Sequence, residues 1–395
     1  MILALSRLAS AGLAPFNQPR ARAGLSIRML SGFVMPILGM LAWTQGPAGN
    51  AAPITPGNLV IYRVGDGVSA LTTTAAAVFL DEYTTSGSLV QTIVVPTTGT
   101  TQQLTAVGNA TTEGIISRSQ DGSKLVFMGY RSNTGTAPGA ATNPRVIGTL
   151  DLAGTLDTSL AVTDMTTAVP RSATTVDGSA YWLGTSTGVR YVGSPTASST
   201  SVLIDSRNSR QVNLSDSVLY ATNGSTGTAA KVQSYGVLPT GSTAPTPLVT
   251  TITTDAMNGF ALLDLDSGVP GPDTMYTLST VSTQLQKYSF NGTSWSANGS
   301  ISSSAIDLVA TNVGSTVTLY LTGTASLLTL TDSSGFNATI SGSFSTLATA
   351  ATNTAFRGLG TFAVVPEPSA LGLAAAGCAG AFVGWRRRKR SSLPA

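Results

Sequence analysis

Two groups of residues in this sequence have the types and spacing to do chemistry. The first is Val365-Pro366-Glu367-Pro368, one carboxylate held between two prolines. Proline fixes φ and removes an N–H donor, and it pushes the preceding residue toward extended backbone, so the peptide is barred from helix and sheet and left open to a protease. Glu367 is the only acid among the last thirty residues. The second is Asp264-Leu265-Asp266, followed by Ser267-Gly268 and Asp273. On a strand, Asp264 and Asp266 would share a face and could offer oxygen ligands to Ca²⁺. The competing and preferred reading is a strand end entering the Gly-Pro turn GVPGPDT, where Asp is common. No other metal site is expected.

The chain has no His, and its single Cys is Cys378. That excludes disulfide stapling, Cys/His zinc sites and His-activated Ser or Cys nucleophiles within the chain. Asp121-Gly122 and Asp177-Gly178 recur but lack the alternating-Asp spacing of a calcium loop, and Asp-Gly is a hairpin signal. Tyr130, Tyr181, Trp182, Tyr191, Tyr220, Tyr276, Tyr288 and Trp295 could stack on sugar rings; at strand spacing they read first as packing residues. Six Asn-x-Ser/Thr matches, beginning at Asn109, are what a Thr- and Asn-rich chain produces by chance.

Charge is scarce, at 10% of residues, with a net formal charge of +3. The basic excess lies at the ends. Arg7, Arg20, Arg22 and Arg28 precede residue 53 with no acid, and five basic residues close the tail, so 12 basic and 17 acidic residues remain between Pro53 and Val365. A body of net charge −5 offers no basic stripe for phosphates, and nucleic acid is not an expected partner.

The ends look like targeting segments. Basic residues to Arg28, an apolar stretch from Met29 to Trp43 and the small-residue exit to Ala51 and Ala52 are the three parts of a secretory signal, with cleavage expected at Ala51 or Ala52 and export through the secretion translocon. The stretch before Met29 is long for a signal, and Met29 or Met35 is an alternative start. At the other end, Val365-Pro366-Glu367-Pro368 leads into an apolar run ending at Trp385, and then Arg386-Arg387-Arg388-Lys389-Arg390 acts as a stop-transfer cluster. The positive-inside rule places that cluster in the cytoplasm and the body outside. A plain membrane anchor needs no Pro-Glu-Pro, and in the order motif, helix, basic end the last thirty residues closely resemble the PEP-CTERM sorting signal. The resemblance implies an exosortase, a membrane protease that acts near the motif, with transient inner-membrane anchoring before release to the cell surface.

Between these ends the positioning elements read as strands. Short alternating runs are separated by Gly, Asn, Asp and Ser, and no ordinary amphipathic helix is visible. Four-run units recur from 113, 169, 209, 258 and 304. The three runs in 58–95 lack a fourth, which AFRGLGTFA (355–363) would supply as the innermost strand, removing an open sheet edge. The turns at Asp121, Asp177 and Asp216 bracket the roughly 40–50 residues of a propeller blade. The expected fold is therefore all-β, a β-propeller of six four-stranded blades spanning 53–364, flanked by a signal region (1–52) and a sorting tail (365–395) with a transmembrane helix at 369–385. Seven blades, a pair of sandwiches and a β-helix are the alternatives. The body also resembles uncharacterised propeller-like proteins carrying this tail, a resemblance that implies no activity.

The expected function is that of an exported bacterial surface or extracellular-matrix protein without catalysis. The rivals are a module binding surface polysaccharide, aided by Ca²⁺, and a carboxylate glycosidase or lyase, which needs two acids facing one cleft.

Overall fold

A computed structural model of the chain describes residues 51–227, 231–250 and 255–362. The apolar stretch from Met29, the Val365–Pro368 motif, the 369–385 segment and the Arg386–Arg390 cluster lie outside the described residues.

All regular structure among the described residues is strand. In chain order these are β1 (Leu59–Val64), β2 (Ala75–Tyr83), β3 (Leu89–Val94), β4 (Thr105–Val107), β5 (Ser117–Arg118), β6 (Lys124–Tyr130), β7 (Arg145–Asp151) and β8 (Leu156–Val162). Next come β9 (Pro170–Thr175), β10 (Ala180–Thr185), β11 (Gly188–Gly193), β12 (Val202–Asp205), β13 (Ser209–Ser215), β14 (Val218–Asn223), β15 (Val232–Val237) and β16 (Thr246–Pro247). The last are β17 (Met257–Leu263), β18 (Thr274–Ser279), β19 (Gln284–Phe290), β20 (Trp295–Ser302), β21 (Asp307–Val313), β22 (Thr316–Thr322), β23 (Ser326–Asp332), β24 (Ser345–Thr349) and β25 (Ala355–Thr361).

The expected runs become antiparallel meanders. β9 to β12, β13 to β16, β17 to β20 and β21 to β24 each form a four-stranded sheet. β1 to β3 and β5 to β8 form two more groups, and β25 pairs antiparallel with β1, on the side away from β2. One element was not anticipated. Thr105–Val107 pairs with Ala75–Ala77 and touches Tyr130, fusing the first two groups into a nine-stranded sheet. The run is only three residues long, too short for any periodicity to announce it.

Turn chemistry follows the sequence. Asp121 Oδ1 accepts the Ser123 N–H at 3.0 Å and Asp177 Oδ1 the Ser179 N–H at 2.9 Å, so both Asp-Gly pairs are turns. Asp216 and Ser217 take φ of 49° and 62° between Ser215 and Val218, the left-handed pair that a two-residue hairpin needs.

Both faces of the sheets are apolar, and each successive pair of groups encloses a core. Tyr62, Val78 and Leu80 meet Leu125, Phe127 and Val146. Met128 and Ile147 meet Tyr181 and Leu183, Trp182 and Val189 meet Val212 and Leu219, and Val232 meets Phe260 and Met275. Tyr276 and Leu278 meet Leu308 and Leu319, and Tyr320 and Leu327 meet Leu59, Ile61 and Phe356 of the first group. This two-sided burial removes the hydrophobic reason for strict polar alternation, so β6 is buried along nearly its whole length. Sheets stacked face to face in chain order are consistent with a propeller.

Candidate functional site

Six strands, β25, β5, β9, β13, β17 and β21, have a free long edge and pack successively against one another, β21 returning to β25. A bare edge would leave N–H and C=O groups unpaired. Here they are bridged from strand to strand. Gly358 N–H donates to Gly114 O at 3.1 Å and Ile115 N–H to Arg171 O at 3.0 Å. Ser172 Oγ donates to Arg210 O at 2.8 Å and accepts the Val212 N–H at 2.9 Å, and Gln211 Oε1 accepts the Phe260 N–H at 2.5 Å. Asp307 Oδ2 accepts the Leu359 N–H at 3.0 Å. Ser117 Oγ reaches across to Val212 O at 2.8 Å, so the space between these strands is narrow.

Charge concentrates near the starts of these strands. Arg171 is the second residue of β9, Arg210 the second of β13 and Arg357 the third of β25; Arg171 is 6% exposed and Arg357 1%. Glu113, just before β5, faces the group; Tyr130 OH donates to its Oε1 at 2.9 Å and Val107 N–H to its Oε2 at 3.1 Å. Burial pushes the Glu113 carboxyl up to about 7, against those donors and the charges of Arg357 and Arg171. Burial pulls Arg171 down to about 10, opposed by Glu113; Arg210 comes down to about 9, by burial first and then by the like charge of Arg171. Asp307 is wholly buried and raised to about 8 by burial, opposed by backbone N–H groups of Leu359, Leu308 and Ile116.

Toward the opposite ends of the same strands lies a cavity of about 620 Å³. Arg118, Gln211, Asn213, Thr311, Asn312 and Tyr320 give it polar character, and Phe260, Leu262 and Leu308 part of its apolar wall.

The sequence-predicted residues fare differently. Asp264 and Asp266 do not alternate along a strand: β17 ends at Leu263, and both follow it in the turn. Asp266 Oδ1 accepts the Gly268 N–H at 3.0 Å. Buried Asp273 accepts the N–H of Leu265 and of Asp266 and the hydroxyl of Thr274, so its oxygens hold the turn. Among the described residues no group of three or more His, Cys, Asp or Glu is placed to hold a metal ion. Ala51 packs partly against the first core, and Ala52, exposed, accepts Gln91 Nε2 at 3.0 Å. Of the eight aromatics, Tyr130, Tyr181, Trp182, Tyr276 and Tyr288 are buried and Tyr191, Tyr220 and Trp295 half-buried. All but Tyr130 pack in the cores between sheets; Tyr130 lies by Arg145 and donates to Glu113.

Sequence reasoning missed Glu113, Arg171, Arg210, Asp307 and Arg357. The available signal was a charge inside PRSATT, SRQVNLS and AFRGLGT, the runs destined for the free-edged strands, in a chain where charge is rare.

The comparisons with known proteins fall on the tail and the fold. Residues 364–389 match the PEP-CTERM protein-sorting motif, so the chain carries that motif at its C-terminus. The motif supports export and processing by an exosortase membrane protein. Among the described residues no helix is long and apolar enough to cross a membrane, and the 369–385 segment is outside them. No curated protein matches the chain.

Among solved structures, the chain is similar to a putative 6-phosphogluconolactonase from Bacteroides fragilis, at 9% identity and TM-score 0.45, covering 77% of this chain and 98% of that one. It is also similar to the Nidogen/Laminin complex, at 10% identity and TM-score 0.47, covering 76% and 97%. A putative 6-phosphogluconolactonase from Bacteroides uniformis follows at 10% and 0.41, covering 75% and 83%. Likenesses this distant bear on neither activity nor ligand.

Proposed function

We propose that this chain is an exported cell-surface or extracellular-matrix protein whose non-catalytic body, a closed six-bladed propeller, is delivered by tail processing. The observation that carries the reading is the match of residues 364–389 to the sorting motif. On this reading Val365–Pro368 is the recognised peptide and Arg386–Arg390 the stop-transfer cluster. Six successive cores, the last joining Tyr320 and Leu327 to Leu59 and Phe356, support six blades and a closed ring.

The absence of catalysis is supported by how the buried acids are used. Asp81 is held by Arg63 and Thr92; Glu82 by Thr55 N–H, Asn58 and Gln91; Asp255 by Ser282; Asp332 by Tyr276 and Lys287. Each of these four carboxylates is spent on the fold, whereas a glycosidase pair must face a shared cleft.

The test is fractionation of wild type against a Pro366→Ala, Glu367→Ala, Pro368→Ala triple variant. Wild type is expected at the surface or in the medium and the variant in the inner membrane. Equal retention of both in the inner membrane would make the tail a plain anchor and end the sorting claim.

A second reading, a module for surface polysaccharide, is favoured by the 620 Å³ cavity, whose amides and hydroxyls suit a sugar. Retention on no glycan, with and without Ca²⁺, would remove it.

A further inference from the structure

Three arginines near the starts of the free-edged strands carry buried donors with no partner among the described residues. Arg171 Nε and Nη1, Arg210 Nε and Nη1, and Arg357 Nε are buried with no hydrogen-bond partner. Buried guanidinium donors are costly to leave unmade. The chain does satisfy such a group elsewhere: Arg145, as buried as Arg357, gives Nε to Ala168 O, Nη1 to Asn143 O and Nη2 to Thr166 O. Arg357 is partly answered, by Gly108 O at 2.8 Å and Phe356 O at 3.2 Å.

The three belong to one electrostatic group. Arg210 senses Arg171, and Arg171 and Arg357 both sense Glu113. Glu113 already accepts from Tyr130 and Val107 and, of the three, acts on Arg357 and Arg171 alone, so the positive charge of the group outweighs the negative. Arg210 is also seated by shape: a Cβ at Gly224 would come within 2.0 Å of its Nε. Like charges crowded together, with their fork donors unused, suit a ligand bearing two negative charges and several acceptor oxygens.

We propose that Arg171, Arg210 and Arg357 form a binding site for a small doubly charged oxyanion of the phosphate or sulfate class. The anion accepts the unused Nε and Nη1 donors and relieves the repulsion between Arg171 and Arg210. Glu113, whose charge acts on Arg357 and Arg171, disfavours anions of larger negative charge.

The test uses the full chain in detergent. Thermal unfolding is followed with sodium sulfate, sodium phosphate or sodium chloride at matched ionic strength, and affinity is read by titration calorimetry. Sulfate or phosphate is expected to raise the melting temperature by a few degrees beyond chloride. Arg171→Gln and Arg210→Gln are each expected to weaken the affinity about 10-fold or more, as loss of one charge-assisted bond implies. They are also expected to melt no lower than wild type in anion-free buffer, since each removes a repelled charge; a merely structural arginine would not behave so. Should either glutamine variant not fold, Arg171→Lys, which keeps the charge but loses the fork, is expected to show the same direction of weakening. Arg145→Gln is the control and is expected to lose stability while keeping the anion response. Equal effects of sulfate, phosphate and chloride on wild type overturn the site, as does full affinity in Arg171→Gln or Arg210→Gln.

Discussion

Asp307 and Leu359 lie on different sheets, and the carboxylate Oδ2 of the first accepts the backbone N–H of the second at 3.0 Å. Oδ1 of the same side chain accepts the Leu308 N–H at 2.9 Å. One wholly buried acid thus ties β21 to β25 where neither strand has a ladder partner on that edge. Asp307→Ala leaves both N–H groups buried and unmatched. Removing the costly burial of the carboxyl offsets part of that loss, so the expected destabilisation is about 2 kcal/mol, read as a lower urea midpoint.

Gly358 tests how closely the free-edged strands approach. A Cβ there would stand 2.2 Å from Gly114 O, 2.6 Å from Ile116 N and 2.7 Å from the Ile115 Cα, all of them backbone. No side chain can swing aside, so Gly358→Ala must separate β25 from the 114–116 segment. The expected cost is about 3 kcal/mol, at the upper end for overpacking, with faster amide exchange at Gly358. An unchanged melting temperature would mean the strands are not in contact there.

Stability should depend on pH through Glu113. Its folded value, about 7, lies above the ordinary 4.5 of a free glutamate, so between those limits the folded chain holds a proton that the unfolded chain has lost. Stability is then highest below about pH 4.5 on this account and falls as pH rises toward 7, by at most about 1.4 kcal/mol per pH unit. Asp307, raised to about 8, acts in the same direction up to that value. Glu113→Gln cannot ionise, and its urea midpoint between pH 5 and 7 is expected to fall less steeply than that of wild type. Identical slopes would assign the dependence elsewhere.

Lys287 and Asp332 form an ion pair at 2.9 Å with both side chains fully buried. Asp332 also accepts Tyr276 OH at 2.7 Å, and Lys287 Nζ donates to Ser334 Oγ and Gly335 O. Hydrogen bonds from Ser334, Tyr276 and Lys287 outweigh burial and hold the Asp332 carboxyl below the usual carboxylate range. Lys287→Met strands a buried carboxylate and is expected to cost about 3–5 kcal/mol by chemical denaturation. The double variant Lys287→Met, Asp332→Leu should recover part of that loss. If the double variant is as unstable as the sum of the two singles, the pair is not coupled.

Much of the body was legible because its strands are short, apolar and separated by turn residues with a physical reason to be there. SAYWLGTSTG and KLVFMGY contain β10 and β6, and the orphan run AFRGLGTFA contains β25, paired with β1. What was illegible depends on distance along the chain. The turn in DLDSGVPGPD was the preferred reading of that segment, but nothing local says that Asp273 folds back to the N–H groups of Leu265 and Asp266, so a metal-ligand reading stood beside it. Likewise Arg171 and Arg210 stand in sequence as solitary charges 39 positions apart. Only the packing of β9 against β13, where Ser172 Oγ donates to Arg210 O, brings them near each other.

The pairing of β25 with β1 bears on the order in which the molecule can be made. β1 begins at Leu59 and β25 ends at Thr361, only four positions before Val365. Synthesis runs from the first residue to the last. The first sheet therefore waits, one strand short, until the chain has been made through Thr361. The segment that completes it emerges just ahead of the peptide an exosortase would grip, so completion of the fold and readiness for cutting arrive as nearly one event.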